Sequence, residues 1–492
     1  MADHQPKSTS FLGKFTVLNG AARELWITFI VKFLSFAAYS VTNLTLVLWL
    51  SSDFGYSDQK ALGMVAAWSI SMTVVTLLVG SLTDVIGLRK AFFFGAWICV
   101  VARAVMVFAN LKWLALAFGL FPLAIGEALG TPVLVAAVRR YSNTSQRSIA
   151  FSIAYAVMNV GSLAATTFFD WVRQGLGEHG HLGLPFGVSI STYRALFLVS
   201  LGIEILMLPI LWFVRRGAEA TDEGLKINSM PVATSAPSGN FLASFSLAVR
   251  DSARETVRLF AELLRQPIFY RLLVFLLLIA FLKLIFMQMY YVFPTFGIRE
   301  LGPGAPVGRL WRINSIFVIF LVPIVGALTQ KFAAYRMVTV GGIISAASVF
   351  IMTLPVAWFQ TLADGVFGQW IGHHYLGLTG DVHPYYVMIT LFVIVLSFGE
   401  AFYSPRVYEY ASAIAPKGQE ASYGALSYVP FLLAKLLIGT FSGTLLARYC
   451  PEHGERNSGV MWLFVALTAT VAPVGLIALR RFIRIREAGR DE

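Results

Sequence analysis

Apolar residues along this chain fall in long, nearly uninterrupted runs, without the period-two alternation of half-buried strands or the one-sided stripe of soluble helices. The runs lie near 26–50, 61–82, 90–110, 113–138, 148–170 and 193–214, and resume near 268–295, 308–330, 335–358, 385–411, 421–446 and 459–482. Each can cross about 30 Å of hydrocarbon as an α-helix. Barrel strands are about ten residues long and alternate in polarity, so a β-barrel does not fit. The pattern therefore predicts an all-α membrane protein with twelve transmembrane helices in two six-helix bundles, 26–214 and 267–483. Residues 1–25 and 484–492 flank them as polar tails. Met1 to Gly20 is polar and lacks an apolar core followed by a cleavage site, so no cleavable signal peptide is expected.

Composition supports the same solvent. The chain is 57% hydrophobic and 13% charged, with a mean hydropathy of +0.71, against about a quarter charged in soluble domains. The same apolar, weakly charged composition excludes disorder, and only two cysteines exclude a disulfide scaffold. The net charge of +12 reads as topology. With both termini cytoplasmic, about 25 of the 38 Lys and Arg collect on the inner side, among them Arg139-Arg140, Arg215-Arg216 and Arg480-Arg481. The partner implied is a lipid bilayer, expected to be a plasma or inner membrane, and not nucleic acid.

The polar stretch 215–266 joins the halves. Ala218 to Asn240 reads as a flexible linker, and Phe241 to Gln266 as an amphipathic helix on the cytoplasmic face. Longer outer loops near 171–192 and 360–384 hold His179, His181, His373, His374 and His383 among glycines. Solvated loop histidines are the expectation there, with no metal and no cofactor.

The halves repeat one another in two places. Gly80-Ser-Leu-Thr-Asp84-Val-Ile-Gly87-Leu-Arg89-Lys90 follows the second helix, and a weaker copy, Gly326 to Arg336, follows the eighth. The fourth helix carries Gly126-Glu127-Ala128-Leu-Gly-Thr131-Pro132 and the tenth Gly399-Glu400-Ala401-Phe-Tyr-Ser404-Pro405. Two matches in the same order at corresponding helices point to duplication, so the bundles should be pseudo-symmetric.

Gly80 to Lys90 resembles the signature loop of the major facilitator superfamily, Gly-x-Leu-x-Asp-x-x-Gly-x-Arg-Lys. That resemblance implies the major facilitator fold, with Gly80, Asp84, Gly87, Arg89 and Lys90 as a cytoplasmic gate that holds the outward-open state. Within the superfamily, the fifth helix, Phe151-Ser-Ile-Ala-Tyr155-Ala-Val-Met158-Asn159-Val-Gly161-Ser162-Leu163, is similar to the Phe-Tyr-x-x-Ile-Asn-x-Gly-Ser-Leu signature of the proton-coupled oligopeptide transporters. Arg312-Ile-Asn314-Ser-Ile-Phe317 and the Gly399-Glu400 run are similar to that family's eighth and tenth helices. The first helix departs from the family. Lys32, Ser35 and Phe36 stand at the positions of its Glu-x-x-Glu-Arg, Asn43 where it has a peptide-contacting arginine, and Thr131 where it has a lysine.

Candidate chemistry follows from cost. An ionised side chain at the centre of a spanning helix costs roughly 2.5–3.5 kcal/mol on insertion scales. Lys32, Glu127, Lys283 and Glu400 lie well inside helices 1, 4, 7 and 10, so they should face a wet cavity or one another. A carboxylate whose lysine partner moves away can take up a proton, which makes Glu400 and Glu127 the candidate proton-coupling residues. Arg103, Glu204 and Lys435 fit helix-packing pairs better. Tyr39, Tyr155, Tyr290 and Tyr291 suit a peptide or aromatic solute or helix packing. Asn159 and Asn314 either bridge helices or line the cavity. Pro294, Pro323 and Pro405 mark expected kinks.

There is no Gly-rich phosphate loop with Lys-Ser/Thr and no nucleophile constellation, so an enzyme is not expected. The expected function is alternating-access transport by a monomer, through proton-coupled uptake of small peptides or peptide-like solutes. Two alternatives stay open: an organic anion or amino-acid-like metabolite moved without the standard coupling, and a receptor that binds a solute without moving it.

Overall fold

The fold is α-helical almost throughout. The computed structural model describes residues 18–86, 88–143, 146–215, 218–221, 224–227, 264–329, 332–414, 429–437 and 441–484, with Arg250, Arg254, Arg258 and Ala261 between them. The first six helices are α1 (Arg23–Phe54), α2 (Asp58–Ile86), α3 (Leu88–Phe108), α4 (Phe121–Arg140, entered through a π turn at Ala115–Leu120), α5 (Arg147–Leu176) and α6 (Thr192–Trp212). The second six are α7 (Pro267–Tyr291), α8 (Val307–Leu328), α9 (Ala334–Ile351), α10 (Pro384–Ile414), α11 (Val429–Leu437, resuming at Gly443–Tyr449) and α12 (Ser458–Ala478). Among the described residues ten helices are long and apolar enough to cross a membrane. The other two predicted spans correspond to α2 and to the pieces of α11, where 415–428 and 438–440 lie outside the described residues.

Three loops differ from expectation. The helix before the first long loop runs on to Leu176, and the loop then forms an antiparallel hairpin of β1 (His181–Gly183) and β2 (Ser189–Ser191). The second is helical in short turns over Val356–Phe359, Gln360–Asp364, Val366–Gln369 and Trp370–Leu376. There His373 is held by Gln369 and the Leu378 carbonyl, both at 2.8 Å. The linker after α6 begins as a hairpin of β3 (Ala218–Thr221) and β4 (Gly224–Ile227), whose Ala218 carbonyl accepts from Arg140 at 3.1 Å. Local pairing satisfies backbone groups that composition alone assigned to a flexible tether. The expected amphipathic helix over 241–266 falls almost entirely outside the described residues.

Helix 7 also differs. It breaks at Val292 and continues as Phe293–Leu301, with Pro294 in the first turn of the second piece. Proline is tolerated there because first-turn N–H groups have no partner in the helix. Pro323 and Pro405 lie inside α8 and α10.

By contact the chain divides into two units that do not follow sequence order. The first comprises Met1–Tyr39, Ser71–Gly161 and Leu198–Thr256; the second comprises Ser40–Ile70, Ser162–Phe197 and Val257–Glu492. Helices α1, α2, α5 and α6 are thus shared, one end of each belonging to the second unit.

In the first unit Leu25, Val31, Phe92, Ala96, Leu134, Val138, Tyr141 and Leu211 form an apolar core. Glu24, at the start of α1, takes a bidentate bond from Arg215 beyond α6 at 2.6 and 3.1 Å. In the second unit α10 packs along α9 and α8, while α7 packs against α11 and α12. Trp462 is buried against Phe296 and Phe392, at ring separations of 5.3 and 5.8 Å.

The repeated glycine-glutamate pair has one structural use in both units. A Cβ at Gly126 would lie 2.9 Å from the Gly95 carbonyl oxygen, where α3 crosses α4. A Cβ at Gly399 would lie 2.9 Å from the Gly341 carbonyl oxygen and 2.7 Å from the Ser345 nitrogen, where α9 crosses α10. Corresponding helices therefore meet backbone to backbone at corresponding glycines, the close approach that small residues permit between membrane helices.

Overpacking a close crossing costs about 1–3 kcal/mol or more. Gly399→Leu should therefore lower the melting temperature of the detergent-solubilised protein by several degrees. Gly183→Ala, at the end of β1 with nothing within 4 Å of an added Cβ, should leave it unchanged in the same thermal scan.

Candidate functional site

Three polar clusters interrupt the apolar helices. In the second unit α7, α8 and α10 bring together Lys283, Asn314, Ser397, Glu400 and Ser404. The Asn314 amide donates to Glu400 Oε2 at 2.9 Å and to Ser397 Oγ at 3.1 Å. Lys283 Nζ donates to Ser404 Oγ at 3.3 Å, sits 5.0 Å from the Tyr403 ring and 5.4 Å from the Phe286 ring, and lies within electrostatic reach of Glu400. Lys283, Asn314 and Glu400 are all under a tenth exposed. The arrangement is a carboxylate held by an amide, with an ammonium close by on aromatic faces. Such a group can bind a solute carrying both charges or exchange a proton.

Glu127 does not find a lysine. In the first unit its carboxylate accepts from Arg103 on α3, which also donates to Glu204 on α6 at 3.1 Å. Lys32, half-buried on α1, makes no ion pair among the described residues. The lysine-glutamate pairing expected of helices 1 and 4 is therefore replaced by an arginine between two glutamates. Arg is better suited to that place, because its planar fork serves two carboxylates at once.

The remaining predicted positions divide. Asn43, buried, accepts the Tyr291 hydroxyl hydrogen within the second unit. Tyr290 meets the Trp311 ring edge-on at 6.0 Å, and Tyr39 packs on Phe36 at 5.8 Å. The Asn159 amide is spent on the Tyr155 carbonyl one turn back, at 3.0 Å, so Asn159 bridges no helices through that bond. Gly161 instead lets α5 approach α1, where an added Cβ would stand 2.9 Å from the Phe33 carbonyl oxygen. Of the expected gate, Arg89 donates to the Trp212 carbonyl at 3.0 Å and stacks over the Trp212 ring at 5.1 Å, while Lys90 is exposed. The side chains of Gly80 and Asp84, and all of Gly87, lie outside the described residues. No group of three His, Cys, Asp or Glu residues able to hold a metal occurs among the described residues.

The third cluster had no sequence expectation. In the second unit Asp170, near the end of α5, accepts from the Gly308 and Arg309 amides in the first turn of α8 at 2.9 and 2.6 Å. A carboxylate is favoured there by the free N–H groups and the helix dipole. Gly308 is required, since a Cβ would stand 2.9 Å from the Asp170 carboxylate. Arg173, fully buried, bonds Asp170 at 3.4 Å, Glu178 at 3.1 Å through Nε and the Ala305 carbonyl at 3.3 Å. The Tyr193 hydroxyl and the Gly304 amide complete Glu178, at 2.7 and 3.2 Å. Nearby, Arg299 takes both oxygens of Asp58 at 2.8 and 2.9 Å and the Cys450 carbonyl at 2.7 Å. These contacts tie α2 to the Phe293–Leu301 continuation of helix 7, and α5 to α8. The one sequence signal was Asp170 and Arg173, three residues apart at the end of an apolar run.

Span-length apolar helices with charges gathered inside them define a polytopic membrane protein. The sequence profile of the Major Facilitator Superfamily matches residues 28–373, and the chain belongs to that superfamily. Its fold is shared with solved peptide transporters. A bacterial homologue of the human drug peptide transporters is 16% identical, with a TM-score of 0.65 over 94% of this chain and 98% of that one. A POT family transporter in complex with 5-aminolevulinic acid is 14% identical, with a TM-score of 0.68 over 97% and 98%. A peptide transporter POT mutant in complex with alafosfalin is 16% identical, with a TM-score of 0.65 over 93% and 94%.

Burial alone would push the Glu178 carboxyl up, but Arg173, the Tyr193 hydroxyl and the Gly304 amide together hold it below its ordinary value. A lowered carboxyl stabilises the fold above the unfolded Glu value of about 4.3, and that stabilisation is lost as pH falls through the lower folded value. Glu178→Gln should therefore melt earlier than the parent at neutral pH. The two melting curves should converge under acid conditions.

Proposed function

We propose that this protein is a proton-coupled carrier of small peptides or peptide-like solutes that works by alternating access. The observation that carries the reading is the Lys283, Asn314, Glu400 and Ser404 cluster inside α7, α8 and α10. A peptide backbone offers a carboxylate, an ammonium and amide groups. The cluster offers an ammonium, a carboxylate and an amide, which match these in complementary sense. Lys283 is suited to the solute carboxylate, and Glu400 to the solute ammonium or to the coupling proton. A proton on Glu400 would free Lys283 for the incoming carboxylate, which couples the two ligands through one shared charge.

The Asp170, Arg173 and Glu178 network would serve as the gate. With both termini cytoplasmic, the loops after α5 and α7 face outward, so breaking this ionic tie would open the path from outside. Three likenesses support the solute class: the helix 5 signature, the Gly399-Glu400 run, and the fold shared with transporters solved with alafosfalin and 5-aminolevulinic acid. A second reading, an organic anion or amino-acid-like metabolite, is favoured by Lys32, a cation without an ion pair among the described residues at a position where peptide carriers have a glutamate.

Uptake of labelled dipeptides, amino acids and organic anions into proteoliposomes, with and without an inward proton gradient, tests both readings. Dipeptide accumulation should depend on the gradient and be lost in Glu400→Gln. Lys283→Ala should raise the half-saturating dipeptide concentration roughly ten- to a hundredfold, the equivalent of a charged hydrogen bond of ~1.5–3 kcal/mol. Uptake of organic anions alone, indifferent to the gradient, would favour the second reading.

A further inference from the structure

Helices α3, α4 and α6 of the first unit bury one guanidinium between two carboxylates. Arg103 is fully buried, and Glu127 and Glu204 are 9% and 4% exposed. One Arg103 nitrogen donates to Glu204 at 3.1 Å, the other to Glu127. Fully ionised, the three groups carry one surplus negative charge. Arg does not give up its proton in proteins, so the surplus can be removed only at a carboxylate.

Among the described residues no second cation compensates the surplus. Cys99, one turn before Arg103 on α3, is a free, buried thiol. From α1 the neighbours are Val31 and Ser35, from α3 Phe92 and Ala96, from α4 Gly130 and Leu134, and from α6 Met207. Arg103 is, among the described residues, the one cation acting on either glutamate, and Lys32 on α1 acts on neither.

Two further observations bear on the site. The Arg103 Nε–H is buried and bonds neither glutamate, and the Cys99 thiol stands beside the guanidinium. A cavity of about 20 Å³, lined by Glu127, Glu204, Cys99 and Ser35, lies beside the cluster, large enough for one water molecule with several polar partners.

We propose that Glu127 and Glu204 share one exchangeable proton across Arg103, forming a proton-binding site separate from the Lys283 and Glu400 cluster, with a water in the adjoining cavity as its relay. An incoming hydronium gives its proton to a carboxylate oxygen and leaves as water. The guanidinium keeps its charge throughout, so the site passes from minus one to neutral. This deepens the proton-coupled reading, and its test does not depend on transport.

The test is infrared spectroscopy of the full chain in lipid vesicles, titrated from alkaline to acidic buffer, following the C=O stretch of protonated carboxyl groups. The parent should show a titrating band that disappears in Glu204→Gln and also in Glu127→Gln, because each variant leaves one carboxylate for one guanidinium. The band should persist in Glu400→Gln. Using both glutamine variants keeps the test decisive if one fails to fold. A band that survives in both, or that is lost only in Glu400→Gln, would overturn the site. In the same vesicles, proton-driven dipeptide accumulation should fall to simple equilibration in Glu204→Gln. A band that behaves as expected in vesicles without proton-driven uptake would uphold the proton site and sink the transport reading. Proton-driven uptake with no band at Glu127 and Glu204 would do the reverse.

Discussion

A charge inside an apolar helix has to be met within the protein, because lipid cannot solvate it. That constraint accounts for the placement of most ionised groups described here. Arg103 is met by Glu127 and Glu204, Glu400 by Asn314 with Lys283 in reach, and Arg173 by Asp170 and Glu178. Each of these clusters joins helices that are distant in sequence. Polar contacts thereby select which faces of the helices meet, a choice that uniform apolar surfaces leave open.

Backbone proximity supplies the second element of that selection. Gly95 with Gly126 and Gly341 with Gly399 bring two helix pairs close enough that the adjoining glutamates are fixed on the buried side. The duplicated Gly-Glu thus acts as one packing device with two chemical outcomes. In the first unit the glutamate is bound to an arginine, and in the second to an asparagine beside a lysine. A duplicated scaffold can diverge in function in this way, because the crossing fixes position while the partner residues set protonation and ligand chemistry.

The ionic network around Asp170 is of a different kind. It pairs a carboxylate with the first turn of α8 and encloses a fully buried arginine, so nearly every donor and acceptor is satisfied. Removing one member of such a network leaves the others uncompensated, so its members stabilise one another beyond what single bonds would.

Span positions and the membrane setting were legible in the sequence because hydrocarbon thickness fixes helix length and apolar content directly, with no need for long-range contacts, while the superfamily was legible only through the likeness of the Gly80 to Lys90 loop to its signature. The candidate glutamates and lysines were legible for the same reason, through the cost of a charge in such a run. Partners were not. Nothing in the sequence distinguishes Glu127 with Arg103 from Glu127 with Lys32, since pairing depends on helix rotation and crossing. The capping of α8 by Asp170 was equally out of reach, because its groups lie far apart along the chain, whereas the two hairpins and the break at Val292 are local features that the uniform apolar and polar runs did not reveal. Sequence alone determined which residues must be buried in company, and tertiary structure decided the company, through the glycine crossings that set which helix faces touch.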